Sequence, residues 1–286
     1  MDHKHGIALS LLSAASLAGG LYCYFENTSP TVSSFTVKSE KLGRSFDGFR
    51  ICQISDFHNT HSSSLRAALT EQIARFSPDL IAVTGDLVDC RRTDVDSAVR
   101  FVADLVSLAP VYYVTGNHEA RIIEYRQLRS ELEALGVHVL ENEAVTLRRG
   151  GAGLQIIGIH DPRIAHEPSI PDAEIAQREL AAVGVDPDCF SLLLFHRPDL
   201  LELYADAGIT LALTGHAHGG QIRLPFIGGL LAPQQGWFPR WTNGLHRQGT
   251  ASMIVSRGIG NSLFPFRINN RPELVCVTLE AARNEF

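Results

Sequence analysis

The stretch FRICQISDFH, Phe49–His58, decides the fold. Its first six residues form a short run suited to a buried β-strand. The run breaks at Ser55-Asp56-Phe57-His58, a polar turn carrying a carboxylate and an imidazole two positions apart. The same layout recurs along the chain. LIAV (Leu80–Val83) runs into Thr84-Gly85-Asp86-Leu87-Val88-Asp89, and VYYV (Val111–Val114) into Thr115-Gly116-Asn117-His118-Glu119. FSLLLF (Phe190–Phe195) ends on His196-Arg197-Pro198, and ITLAL (Ile209–Leu213) on Thr214-Gly215-His216-Ala217-His218-Gly219-Gly220. Leu154–Ile159, Ser252–Ser256 and Leu274–Leu279 read as further strands. Ser64–Arg75, Val95–Leu108, Ile122–Leu135 and Asp172–Val183 carry apolar residues at three- and four-residue intervals and read as helices. Short, continuously apolar strands alternating with amphipathic helices predict a layered α/β protein with its reactive groups in loops at strand carboxyl ends.

The composition supports a folded enzyme-sized body. Of 286 residues, 45% are hydrophobic and 20% charged, which excludes a disordered chain. Lys and Arg number 25 against 31 Asp and Glu, a net charge of −6. That balance excludes sequence-independent binding of duplex nucleic acid. The five cysteines, Cys23, Cys52, Cys90, Cys189 and Cys276, are odd in number, far apart and without a C-x-x-C pair, which speaks against a disulfide framework or a thiolate zinc site. No internal repeat and no second linker is visible, so the domain reading is a 1–30 anchor or signal segment with linker, then one domain over 31–286.

Gly6–Phe25 runs for twenty residues without a charge, long enough at 1.5 Å per residue to span about 30 Å of hydrocarbon. It is read as a single-pass membrane anchor of a bacterial cell membrane, with a signal segment cleaved near Ala18-Gly19-Gly20 as the alternative. Lys4 precedes it and Lys38, Lys41 and Arg44 follow, so charge counting leaves the membrane face open. Asn27–Ser34 is read as a polar linker.

Taken singly, an Asp or Asn after a strand is a turn or capping residue. Four of the five loops also contain His, which capping does not require. Imidazole, carboxylate and amide oxygen together suit a divalent metal of intermediate softness, Mn²⁺, Fe²⁺ or Zn²⁺. Asp56 and His58, and likewise His216 and His218, lie two apart and so point to one side of an extended segment. With Asp86, Asn117 and His196 they make seven candidate ligands, too many for one tetrahedral ion and suited to two ions sharing a carboxylate. Two adjacent cations serve phosphate-ester hydrolysis well.

The ordered set D-x-H, G-D-x-x-D, G-N-H-E, a lone His and G-H-x-H, from Asp56 to His218, resembles the calcineurin-like metallophosphoesterases. GHAHGGQIRLPF (Gly215–Phe226) and SRGIGNSLFPFRINNRPELV (Ser256–Val275) are similar to its membrane-associated or exported bacterial branch of YkuE and YaeI type. The resemblance implies a two-sheet αββα sandwich preceded by an N-terminal membrane helix. It implies that Asp56, His58 and His218 hold one ion, Asn117, His196 and His216 the other, and that Asp86 bridges them. A metal-bridging hydroxide would be the nucleophile, His118 would contact the phosphoryl group and protonate the leaving oxygen, and Glu119 would support the ligands. Ala217 stands where Thr is frequent in this branch, at a position that is not a ligand.

The implied activity is hydrolysis of a phosphomonoester, phosphodiester or pyrophosphate bond, on a small molecule or on a lipid-linked or nucleotide-sugar substrate. The alternative is a non-catalytic metal-binding scaffold on the same fold. No obligate protein partner is evident. His160 and Asp161 are read as turn residues, with a metal role for the pair or a pocket-lining His160 as the alternatives, Asp89 as a loop acceptor, and Arg197 as helix-start packing or a phosphate contact. His3, His5, His61, His138, His166 and His246 are assigned to surface or ordinary polar contacts. Trp237, Phe238, Trp241, Phe264 and Phe266 are read as core or loop packing, with contact to lipid as the alternative.

Overall fold

The computed structural model describes residues 3–261, 264 and 266–282, with side chains from Leu12 onward. The strands before the last motif are β1 (Thr31–Ser39), β2 (Arg50–Ile54), β3 (Leu80–Thr84), β4 (Val111–Val114), β5 (His138–Val139), β6 (Glu143–Arg149), β7 (Ala152–Gly158), β8 (Phe190–Leu194) and β9 (Leu211–Thr214). After it come two small hairpins, β10 (Arg223–Leu224) with β11 (Gly228–Gly229), and β12 (Leu231–Ala232) with β13 (Gly236–Trp237). The chain closes with β14 (Gly244–Gln248), β15 (Ala251–Val255) and β16 (Glu273–Ala281). The helices are α1 (His3–Thr28), α2 (Ser63–Phe76), α3 (Val95–Val106), α4 (Tyr125–Ala134), α5 (Asp172–Val183) and α6 (Leu201–Asp206).

Two six-stranded sheets form the body, in the orders β1-β16-β2-β3-β4-β5 and β14-β15-β9-β8-β7-β6. Strands β2, β3, β4 and β5 run parallel, as do β7, β8, β9 and β15; β16 pairs antiparallel with β2, and the edge strands β6 and β14 pair antiparallel with their neighbours. Along β3 the side chains alternate between two cores, because a strand presents successive residues to opposite faces. Leu80 and Ala82 point between the sheets, while Ile81 and Val83 point to the helices. The inter-sheet core sets Ile51, Leu80 and Val275 against Leu154, Leu192 and Leu211. Outside it, Leu69, Phe101 and Leu128 pack α2, α3 and α4 on one sheet, and Leu180 and Tyr204 pack α5 and α6 on the other. The result is the four-layer sandwich expected, and the buried strands read as unbroken apolar runs because both their faces are covered.

Three expectations need revision. The linker over Asn27–Ser34 is not one: Asn27 and Thr28 complete α1, and β1 begins at Thr31, parallel to β16 from Thr31↔Glu273 to Ser39↔Ala281. Its β-branched residues find a ready ladder on the last strand. The predicted helix Ile122–Leu135 is shorter, Tyr125–Ala134, with a separate single turn over Glu119–Arg121. Trp237, Phe238, Phe264 and Phe266 are not packed away but exposed, whereas Trp241 is half-buried.

The predicted apolar run Gly6–Phe25 lies within α1, yet among the described residues no helix is long and apolar enough to cross a membrane. The side chains of His3 and His5 lie outside the described residues. His61, His138 and His166 are exposed, and His246 bonds the Asn243 carbonyl at 2.9 Å.

Candidate metal centre

The loops after β2, β3 and β4 in one sheet meet those after β8 and β9 in the other. Their backbone is bent to do so: Asp56 (φ 52°), His58 (46°), Asp86 (51°), His216 (68°) and His218 (46°) all lie in the left-handed region, which non-glycine residues seldom enter. Such outliers gather where function demands them. The glycines beside them are required by close approach. A Cβ on Gly116 would sit 2.3 Å from Asp86 Oδ1, and one on Gly215 would sit 1.8 Å from Ser55 Oγ.

All seven candidate ligands are buried, and six of them converge in two overlapping groups. Asp56, His58, Asp86 and His218 form the first. His218 Nε2 lies 3.2 Å from Asp56 Oδ1 and 3.2 Å from His58 Nε2, and His58 Nε2 lies 3.6 Å from Asp86 Oδ2. Asp86, His196 and His216 form the second. His196 Nε2 stands 3.2 Å from Asp86 Oδ2 and 3.1 Å from His216 Nδ1. Asp86 Oδ2 is therefore common to both. Asn117 Oδ1 is buried beside them and has no hydrogen-bond partner, an unusual state for an amide oxygen.

The electrostatics of the cluster favour cations. Burial pushes His58 down to about 3 and holds His216 and His218 well below the usual imidazole value, so these rings are neutral and offer lone pairs. Burial would also raise Asp86, but the surrounding His196, His118 and His58 outweigh it and keep the carboxyl well below the usual range. Burial raises Asp56 to about 6. Two pairs of ring nitrogens at 3.1–3.2 Å, anionic oxygens between them and an orphaned amide oxygen form a donor set that divalent ions of the Mn, Fe or Zn type fit.

The second tier of contacts orients the donors. The Nδ1–H of His196 donates to the Thr84 carbonyl at 2.7 Å, which aims Nε2 at Asp86. Glu119, buried, accepts from the amides of Asp86 (2.9 Å), Gly116 (2.7 Å) and Val88 (3.2 Å), binding the second and third loops together. His118 Nδ1 accepts from the Cys90 amide at 3.0 Å, so the ring proton sits on Nε2, which faces the centre 3.9 Å from Asp86 Oδ2. Asp89 accepts from the Arg91 amide and guanidinium.

Arg197 is tied to Asp161 at 2.5 and 3.0 Å and to Asp172 at 3.2 Å, and is 1% exposed. Its guanidinium is thus engaged by carboxylates, and Asp161 is its counter-ion rather than a plain turn residue. His160 stays a loop residue, its Nδ1 3.3 Å from Thr115 Oγ1.

A cavity of about 190 Å³ opens on the cluster, lined by Asp86, Asn117, His118 and His216, and by Arg121, Arg163 and Gln234. The last three escape a reading of motifs. Gln234 meets His216 Nε2 from eighteen residues away, and Arg121 and Arg163 come from single-turn segments with no pattern of their own.

A sequence profile of the calcineurin-like phosphoesterases matches residues 49–220, the span that holds every loop described above. The chain belongs to that family. It is 31% identical to the metallophosphoesterase YkuE of Bacillus subtilis strain 168, over 96% of each chain, and 30% identical to the phosphodiesterase YaeI of Escherichia coli K12, over 81% of this chain and 82% of that one. A transmembrane protein with a metallophosphoesterase domain from Bos taurus is 28% identical over 88% of this chain and 58% of its own length. Among solved structures, TT1561 of Thermus thermophilus superposes with a TM-score of 0.51 at 16% identity, covering 74% of this chain and 90% of that one, a likeness of fold. This member of the YkuE and YaeI branch is thus a hydrolase of phosphoester bonds with a buried His/Asp cluster suited to divalent metal.

Proposed function

We propose that this phosphoesterase works at a two-ion centre in which Asp56, His58 and His218 hold one cation, Asn117, His196 and His216 the second, and Asp86 both. The observation that carries the reading is the position of Asp86 Oδ2, 3.6 Å from His58 Nε2 in one group and 3.2 Å from His196 Nε2 in the other. When bound, two divalent ions would acidify a water and offset charge on the phosphoryl group. Mn²⁺, Fe²⁺ and Zn²⁺ all suit this donor set.

The chain's own residues do the rest. His118, its proton on Nε2, donates to a phosphoryl or leaving-group oxygen in the cavity. Glu119 fixes the loops bearing Asp86, Asn117 and His118 so that donors and substrate keep register.

The bond cut is a phosphodiester, phosphomonoester or pyrophosphate. The name of YaeI supports the diester, and a lipid-linked or nucleotide-sugar substrate fits the branch. The catalytic body is placed at 31–286. Residues 1–30 are read as attachment to a bacterial membrane, supported by the uncharged run Gly6–Phe25, by the exposed Leu12, Leu17 and Leu21, and by the transmembrane relative.

The test is turnover of bis-p-nitrophenyl phosphate, p-nitrophenyl phosphate and a UDP-lipid analogue by the full chain with Mn²⁺, metal content being measured on the same sample. Hydrolysis of at least one is expected. Inertness toward all three in a metal-loaded protein would return the chain to the scaffold reading.

A further inference from the structure

The wall of the cavity that carries Pro233 and Gln234 is the turn of the β12–β13 hairpin, and the outer side of the two hairpins is unusual. Leu224, Phe226, Ile227, Leu231, Trp237 and Phe238 are all exposed, Ile227, Trp237 and Phe238 at 60–70% and Phe226 fully. Exposed apolar side chains are ordinary when scattered, but six within fifteen residues mark an interaction site. Phe226 (φ 67°) and Phe238 (φ 54°) also hold a left-handed backbone, unfavourable for a bulky residue, and in doing so turn their rings outward.

Charge singles out the same region. From Ala207 to Pro272 the sequence contains no Asp or Glu, although the chain as a whole is net −6, and it carries six arginines. Arg240 is exposed and lies over the Trp241 ring at 4.2 Å. The face continues onto α1. Asn269 donates to the Arg223 carbonyl at 3.2 Å and accepts from the Tyr22 hydroxyl at 2.7 Å, setting the hairpins beside a helix whose Leu17, Leu21 and Phe25 are exposed. Arg271 lies over Phe25 at 4.7 Å.

Aromatic and aliphatic side chains mixed with arginine, with no carboxylate in the hairpins and the one on this half of α1, Glu26, buried, match an anionic bilayer surface, where rings sit at headgroup level and guanidinium groups meet lipid phosphate. We infer that the hairpins over residues 223–238, together with the carboxyl-terminal half of α1, form a bilayer-docking face that seats the metal cavity against anionic lipid. The inference deepens the proposed attachment through α1, and its test separates the two.

Trp237 and Trp241 are the only tryptophans, the first exposed and the second half-buried, so Trp237 reports on the face directly. The full chain is mixed with vesicles of phosphatidylcholine and phosphatidylglycerol bearing brominated acyl chains. About half of the tryptophan emission should be quenched, and Trp237→Phe should abolish the quenched component. Phe226→Ser/Phe238→Ser, at exposed positions that leave the core alone, should lose most of the quenching while still sedimenting with vesicles through α1. Vesicles of phosphatidylcholine alone should quench less. Unquenched emission from a protein that sediments with vesicles overturns the docking face and leaves attachment through α1 standing. Failure of the full chain to sediment with vesicles overturns both. Self-association without lipid that Phe226→Ser/Phe238→Ser abolishes makes the face a contact between copies and overturns it too.

Discussion

Asp86 and His118 stand one hydrogen bond apart, the His118 amide donating to Asp86 Oδ1 at 2.8 Å, yet the proposed roles separate them sharply. Replacing Asp86 by Ala removes the one anion common to both groups, so metal content should collapse together with activity. His118→Ala should keep both ions and lower kcat by about 10²–10⁴-fold, the usual worth of a positioned acid. Equal metal loss in the two variants, read by elemental analysis, would refute this division. A second prediction comes from His196. Burial would lower it, but Asp86, which bonds it, and Asp56 outweigh burial and lift it to about 10. In ion-free protein at about pH 8, below that value, its Nε2 is thus protonated, whereas His58 near 3 has nothing to release. Metal must displace that proton, so loading at about pH 8 should release about one proton per chain beyond the buffer baseline, and affinity should rise with pH until about 10 and then level off. An indicator dye in weak buffer reads the release, and pH-independent uptake without a proton would show that His196 is not a ligand.

Helix α1 ends inside the body rather than beside it. Glu26 is 6% exposed and accepts from the Asn270 amide at 2.9 Å, while Asn270 Nδ2 donates to the carbonyls of His218 (2.7 Å) and Gln221 (3.0 Å). The last turn of α1 therefore holds the loop that presents His218. Glu26→Ala should weaken metal binding by about tenfold, the effect of losing an outer contact to a ligand, and Glu26→Gln, which keeps an acceptor, should recover most of it. Unchanged affinity in Glu26→Ala, measured by competition with a chelating dye, would make the contact merely structural. No motif announces this contact, because it joins residues 244 apart through a single carboxylate. The strands divide in the same way. β2, β3, β8 and β9 are legible since both faces are buried and nearly every position must be apolar or small. β1, β6 and β14 lie at sheet edges with polar, solvent-reaching residues such as Glu143, Arg148 and His246, and only the neighbouring strand defines them. The ligands are legible for a related reason. Each stands within a few residues of the end of a buried strand, whereas Gln234, Arg121 and Arg163 reach the cavity from irregular segments whose course depends on the folded whole.

At the scale of the molecule the centre lies across the seam between the sheets. Asp56, Asp86 and Asn117 extend one sheet, His196, His216 and His218 the other, and the core beneath them is apolar. Direct polar ties cross near the centre as well, among them Gln53 Nε2 donating to the Thr214 carbonyl at 2.8 Å, His196 Nδ1 to the Thr84 carbonyl at 2.7 Å and the His216 amide to Asp56 at 3.1 Å. Cations bound there would add a cross-link between two halves that adhere chiefly by burial. Ligand at a hundred times its dissociation constant stabilises a fold by about 2.7 kcal/mol, and in a chain of this size each kcal/mol moves the midpoint by roughly 2–4 °C. Chelation should therefore lower the melting temperature by roughly 5–10 °C. The loosening should also be shared. The His118 amide, bonded to Asp86, and the His216 amide, bonded to Asp56 at 3.1 Å, lie in loops of opposite sheets, and each donates to a carboxylate that the ions would hold in place. Both should exchange hydrogen faster after chelation and by similar factors, while amides in the centres of β3 and β8 stay protected, because opening at the strand ends does not require the sheets to part. If only the loops of one sheet responded, the ions would be holding that sheet's loops in place without joining the halves, and the shared position of Asp86 would have no mechanical consequence.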